Sequence, residues 1–289
     1  MPDADAALRP AGAATARVRE GMPAGSLRHL AVLFSGSREQ FLLGAIYAFE
    51  QELRRIVRSS AHEAAHARLQ WWRGELDRLT AGRPTHPLGQ ALLPLRGRPG
   101  IDLSLLQEML AAADLDLARF TYLSWRELDA YLFRSAGAAQ VLLAATLAGA
   151  RRMADTEVNF ARQLGNLLRQ AELLGEIDAD LRSGRLYAPI EPLQAAGIDP
   201  REFARGERTA AAAAFLAEWQ SRVRDELRAL PGVLTEREHR AAQRHGLVLA
   251  ALLERDLAGP GSPAPGTARA GLPPLTRLWT AWRTALRHG

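Results

Sequence analysis

His62-Glu63-Ala64-Ala65-His66 places two histidines one helical turn apart with a glutamate beside the first. In that pattern the imidazoles bind zinc and the carboxylate activates a water. A zinc hydrolase also needs a third ligand, and here Leu69, Gln70, Trp71 and Trp72 follow instead of a Gly-x-x-His continuation. A five-residue pattern with two free positions recurs by chance, so this one reads as a coincidence. The 289 residues contain no cysteine, which removes thiol nucleophiles, cysteine-ligated zinc and iron-sulfur clusters.

All 37 basic residues are arginine, set against 32 acidic residues for a net charge of +5. The two signs are interleaved, as in Arg126-Glu127 and Glu236-Arg237-Glu238. Such mixing describes a salt-bridged helix surface and excludes the continuous basic face that a nucleic acid needs. The alanine-rich, lysine-free composition reads as a coding bias, so most arginines need no functional account.

The elements that must position any chemistry are helices, because three- and four-residue periodicity runs almost throughout. Leu42, Ile46, Phe49, Leu53 and Ile56 define one face of a long helix beginning near Ser37. Further helices are expected over residues 61–79, 103–118 after Asp102, 125–149 after Ser124, and 153–177. Three more are expected, a short one at Asp199-Pro200, then 209–230 and 235–257. Between them, Ser183-Gly184 and Pro189 mark a loop of the kind that carries binding groups. The expected organisation is a disordered tail over 1–25, a helical domain over 26–258, a Gly/Pro/Ala-rich linker over 259–274 and an amphipathic helix over 275–289. That last helix, with Trp279 and Trp282, reads as docked on the domain, or alternatively as a contact for a membrane surface or a protein partner. No segment has the charge pattern of a signal peptide, and the most apolar stretch, 136–150, is shorter than a membrane span. A cytoplasmic protein, peripheral to a membrane at most, is the expectation.

Several stretches in a shared order resemble the squalene and phytoene synthases. They are Ile46-Tyr47-Ala48-Phe49; Trp72-Arg73-Gly74-Glu75-Leu76 with Gly82-Arg83-Pro84-Thr85-His86-Pro87; Tyr131 with Ala136-Gly137; Asn166-Leu167-Leu168-Arg169; and Arg182-Ser183-Gly184-Arg185-Leu186-Tyr187-Ala188-Pro189. The resemblance implies an all-α, single-domain isoprenoid synthase-type helical bundle around a central cavity. It also implies head-to-head condensation of prenyl diphosphates, with two aspartate-rich helical motifs holding Mg²⁺.

The sequence departs from that chemistry at both motifs. Arg54, Arg55 and Arg58 stand where the first motif has its carboxylates, and Gln170 and Leu174 stand where the second is expected after Asn166-x-x-Arg169. At an effective dielectric of ~20, a dication about 4 Å from one guanidinium is repelled by roughly 8 kcal/mol. The three arginines therefore read either as a salt-bridged surface, given Glu50 and Glu52 one turn earlier, or as a metal-free anion grip. In the second case Arg182, Arg185 and Tyr187 would complete a pocket with Tyr131 and Asn166. Glu172, Glu176 and Asp180, spaced four apart, read as a solvated acidic stripe rather than a displaced metal site.

Ala67-Arg68-Leu69-Gln70-Trp71-Trp72-Arg73 resembles the branch of the same superfamily that serves in respiratory complex I assembly. The leading expectation is a non-catalytic binding or assembly factor without a cofactor. It would take a prenyl diphosphate or another apolar ligand, or a protein partner. The alternative is an active Mg²⁺-dependent prenyltransferase in terpenoid or carotenoid biosynthesis.

Overall fold

The computed structural model describes residues 12–118, 121–258 and 273–288. Among these residues there are fifteen α-helices: α1 (Gly12–Gly21), α2 (Leu27–Val32), α3 (Ser37–Val57), α4 (His62–Thr80), α5 (Pro87–Leu92), α6 (Ser104–Ala118), α7 (Trp125–Leu132), α8 (Ala138–Ala148), α9 (Asp155–Arg182), α10 (Ile190–Ala195), α11 (Pro200–Ala204), α12 (Ala210–Ala229), α13 (Arg237–Ala242), α14 (Arg244–Ala258) and α15 (Pro274–Arg287). The described residues contain no strand, only an isolated parallel bridge between Thr121 and Leu186. The fold is all-α, as expected.

Local chemistry explains most boundaries. Ser124, Asp199 and Thr209 cap α7, α11 and α12 by accepting the backbone N–H of Glu127, Arg201 and Ala212. Asp102 Oδ1 accepts the N–H of Ser104 at the start of α6. At α3 the cap is Gly36, and Ser37 is the first helical residue.

Three expectations are corrected. The supposed tail contains α1, whose Ala14 and Val18 are buried on α3. Gly21 and Gly44 let these two helices approach, since a Cβ on Gly21 would meet Gly44 O at 2.6 Å. Residues 1–11 and 259–272, the rest of that tail and most of the expected linker, lie outside the described residues. The helix expected over 125–149 is interrupted by one π-helical turn, Phe133–Gly137. Gly165 of α9 passes this turn so closely that a Cβ there would lie 2.3 Å from Ala136 O, which gives the Ala136-Gly137 pair its physical reason. The helix expected over 235–257 is two, divided at Gln243, whose side chain donates to Glu157 O.

Helices α3, α6, α8 and α9 form the centre. Buried side chains of α3, α4, α5, α6 and α8 make one apolar core, with Phe49 and Trp72 in edge contact. Those of α7, α9, α12 and α14 make a second, which includes Phe160, Phe203 and Trp219. The polar contacts between α3 and α9 lie where these cores meet.

Candidate functional site

A small cavity of about 30 Å³ lies between α3, α6, α7 and α9, lined by Glu50, Leu53, Arg54, Val57, Met109, Ala113, Asp116, Tyr131, Ser135 and Arg169. Two polar clusters bound it.

The first is an ion ladder. Arg54 follows Glu50 by one turn of α3, and its guanidinium lies 2.5 Å from Glu50 and 2.5 Å from Glu172 on α9. One turn on, Arg58 reaches Glu176 at 2.5 Å and Asp180 at 3.0 Å. From α2, Arg28 meets Glu50 at 3.2 Å and Glu172 at 3.0 Å while lying over the Tyr47 ring. Arg169, buried on α9, meets Glu172 at 3.2 Å and Glu176 at 3.3 Å. Four guanidiniums and four carboxylates thus balance within one network. Burial alone would raise the pKa of Glu172, but Arg54, Arg28 and Arg169 overcome it and hold the carboxyl well below the usual range. Glu176 is likewise held low, with Arg169 and Arg58 outweighing burial, whereas burial keeps Asp180 raised despite Arg58 and Arg169.

This geometry corrects the sequence reading of α9. The side chains facing the first-motif arginines are Glu172, Glu176 and Asp180, which are ion-paired rather than a solvated stripe. Gln170 turns away, donating to Asn166 Oδ1 at 2.7 Å and accepting from Trp219 Nε1 at 2.7 Å, and Leu174 is buried in the second core.

The second cluster is a hub at Asp116, on the buried face of α6. Tyr187 and Tyr131 donate to Asp116 Oδ2 at 2.8 and 2.9 Å, and Tyr122 donates to Oδ1 at 3.4 Å. Arg185 donates to the Asp116 carbonyl at 2.7 Å, approaches Oδ1 at 3.3 Å, and reaches the Val57 carbonyl at the end of α3 at 2.8 Å. Burial raises the pKa of Asp116 against the pull of Arg185, Tyr187 and Tyr131, and burial raises both of those tyrosines too.

The expected site residues are therefore distributed over several places. Arg54 and Tyr131 line the cavity, and Tyr187 and Arg185 sit behind it on Asp116. Arg58 closes one end of the ladder, while Arg55 is half exposed and pairs with Glu52. Arg182 is exposed at the end of α9. Asn166 faces a different groove, donating to Asp129 Oδ1 at 3.0 Å. Sequence reasoning missed Asp116, Arg28 and Arg169 as site residues. Asp116 had a signal, since it continues the buried stripe Leu106, Met109, Ala113 of α6. Arg28 had none, because its partners lie on other helices. His62, Glu63 and His66 are exposed on α4, and among the described residues no group of three or more His, Asp or Glu is arranged to hold a metal ion.

Residues 24–259 match the family model described as squalene/phytoene synthase. The bifunctional protein CrtB/UppS of Streptomyces coelicolor is 30% identical over 184 residues, 62% of this chain and 32% of that protein. A phytoene synthase of Arthrospira platensis is 27% identical over 135 residues, 43% of this chain and 44% of the relative. The chain thus spans less than half the length of these curated relatives. Among solved structures, a ligand-bound dehydrosqualene synthase superposes with a TM-score of 0.74 at 16% identity, covering 95% of this chain and 97% of that one. The squalene synthase HpnC from Alicyclobacillus acidocaldarius gives a TM-score of 0.62 at 21% identity, covering 86% and 94%. At these identities the structures speak for the fold, and the family model, matching most of the sequence, speaks for descent. This chain belongs to the squalene/phytoene synthase family.

Proposed function

We propose that this protein has lost metal-dependent prenyl transfer and acts as a non-catalytic binding or assembly factor. The observation that carries the reading is the ion ladder: Arg54 and Arg58 occupy the space between the carboxylates of α9 and the helix that faces them. Mg²⁺ is held through free carboxylates together with substrate phosphates. Here the α9 carboxylates are already ion-paired with guanidiniums, so a dication would have to break those pairs, with repulsion of several kcal/mol from any guanidinium left about 4 Å away. The residues do not fit the metal.

The same ladder argues against a metal-free diphosphate grip, because each of its guanidiniums already holds a carboxylate at 2.5–3.3 Å. A phosphate would have to displace those partners. The cavity, at about 30 Å³, is far below the ~300–1,000 Å³ typical of a small-molecule pocket. In this form it has no room for two prenyl chains. Incubating the purified protein with Mg²⁺ and farnesyl or geranylgeranyl diphosphate tests the reading. No squalene, phytoene or cyclopropyl intermediate is expected above trace, and steady turnover would establish the alternative, a prenyltransferase of terpenoid or carotenoid biosynthesis.

A further inference from the structure

The outer side of α15 carries Leu275, Leu278, Trp279, Trp282 and Leu286, respectively 81%, 46%, 46%, 50% and 64% exposed. Their three- and four-residue spacing aligns them in one stripe. The helix is turned opposite to a buried amphipathic helix. Its small side chains, Thr280, Ala281 and Ala285, face α14 and α2, and its largest apolar ones face solvent.

The charges around the stripe are one-sided. Helix α15 bears Arg277, Arg283 and Arg287 and no carboxylate. Of the two helices packed against it, α2 carries no acid, and the two acids in the last turns of α14 are engaged: Glu254 with Arg228 and Asp256 with Arg277. The Arg283 and Arg255 guanidiniums lie 5.0 and 5.5 Å from the Trp279 ring centre. A second copy of the chain docked helix to helix through a two-fold axis would bring the arginines of one α15 near those of the other, with no acid on either helix to meet them. A lipid surface with anionic headgroups meets every feature. The stripe enters the acyl boundary, tryptophan rings sit at headgroup level, and guanidiniums reach the phosphates. At 14 residues the helix is ~21 Å long and lies in the interface rather than crossing it. The segment Trp125–Ala148 is long and apolar enough to cross a membrane, but 72% of its most apolar 18 residues are buried inside the protein, so it is not that contact.

We propose that α15 docks the protein on an anionic lipid surface, seating Leu275, Leu278, Trp279, Trp282 and Leu286 in the interface with Arg283 and Arg287 on headgroup phosphates. This inference is independent of whether the cavity is catalytic. The test is co-sedimentation of the full chain with phosphatidylcholine vesicles, with and without phosphatidylglycerol, followed also by tryptophan emission. Binding to the anionic vesicles with a blue shift is expected, weakened by salt. Arg283→Gln and Arg287→Gln should each lower the partition coefficient about fivefold, and the pair Trp282→Glu/Leu286→Glu should abolish binding. These side chains are exposed, so the thermal midpoint should hold. If it falls in the glutamate pair, the two glutamine variants decide. The proposal is overturned by no sedimentation, by equal binding to neutral vesicles, or by binding that survives the glutamate pair. A dimer in sedimentation velocity that the glutamate pair dissolves, without vesicle binding, would assign the stripe to a second copy instead.

Discussion

The ion ladder between α3 and α9 and the hub at Asp116 border the same cavity, yet one balances charge with charge while the other surrounds a single carboxylate with phenols and one arginine. The long side chains of the ladder span the gap between α3 and α9 themselves. The hub uses residues that the family resemblance had marked, Tyr131, Arg185 and Tyr187, and turns them inward onto α6.

The difference can be probed hardest at the hub. Asp116→Ala strands the Arg185 guanidinium and the Tyr131 and Tyr187 hydroxyls in the interior, and a loss of about 3–5 kcal/mol in denaturant unfolding is expected. A loss below 1 kcal/mol would mean that the hub is not a structural centre.

The ladder is better tested by reversal than by deletion. Arg54→Asp/Arg58→Asp faces Glu172, Glu176 and Asp180 with new carboxylates and should destabilise the protein in the absence of metal. With Mg²⁺ at a hundredfold excess over its dissociation constant, its thermal midpoint should rise about 5–10 °C, while the unaltered protein shows no rise. An equal response in both would remove the distinction drawn between guanidinium and metal.

The smallest effect, in pH, separates the ladder's two glutamates, Glu172 and Glu176, from Asp116 by sign. Glu172 and Glu176 are depressed in the folded state, so their contribution is complete above the unfolded glutamate value and is lost as pH falls through their folded values. Asp116 is raised, so its contribution is greatest below the unfolded aspartate value and declines as pH rises through the folded one. Glu172→Gln should therefore weaken the acid-side loss of stability, and Asp116→Asn should weaken the decline on the other side. Midpoints measured against pH in both variants check the opposite signs.

Much of the fold was legible, because periodicity and caps are local. Ser124, Asp199-Pro200 and Thr209 mark helix starts through bonds made within three residues. What failed was non-local. Helix α1 offers only Ala14 and Val18 to the core, and its packing depends on Gly44, a residue of another helix. The π turn at Phe133–Gly137 cannot be read from its own residues, since its counterpart is Gly165 on α9.

The sequence by itself determined an all-helical chain, its family descent, and an arginine cluster at positions 54, 55 and 58, because residue type and order carry those facts. Only the tertiary structure decided what the arginines hold. Helical spacing shows that Glu172, Glu176 and Asp180 share a face, but not which helix that face meets. Arg54 and Arg58 become partners of α9 because α3 lies opposite it, whereas Arg55, their neighbour, points outward to Glu52. The outward turn of α15 was settled in the same way, since an amphipathic helix can bury either side and the small residues Ala281 and Ala285 fit closest against α14.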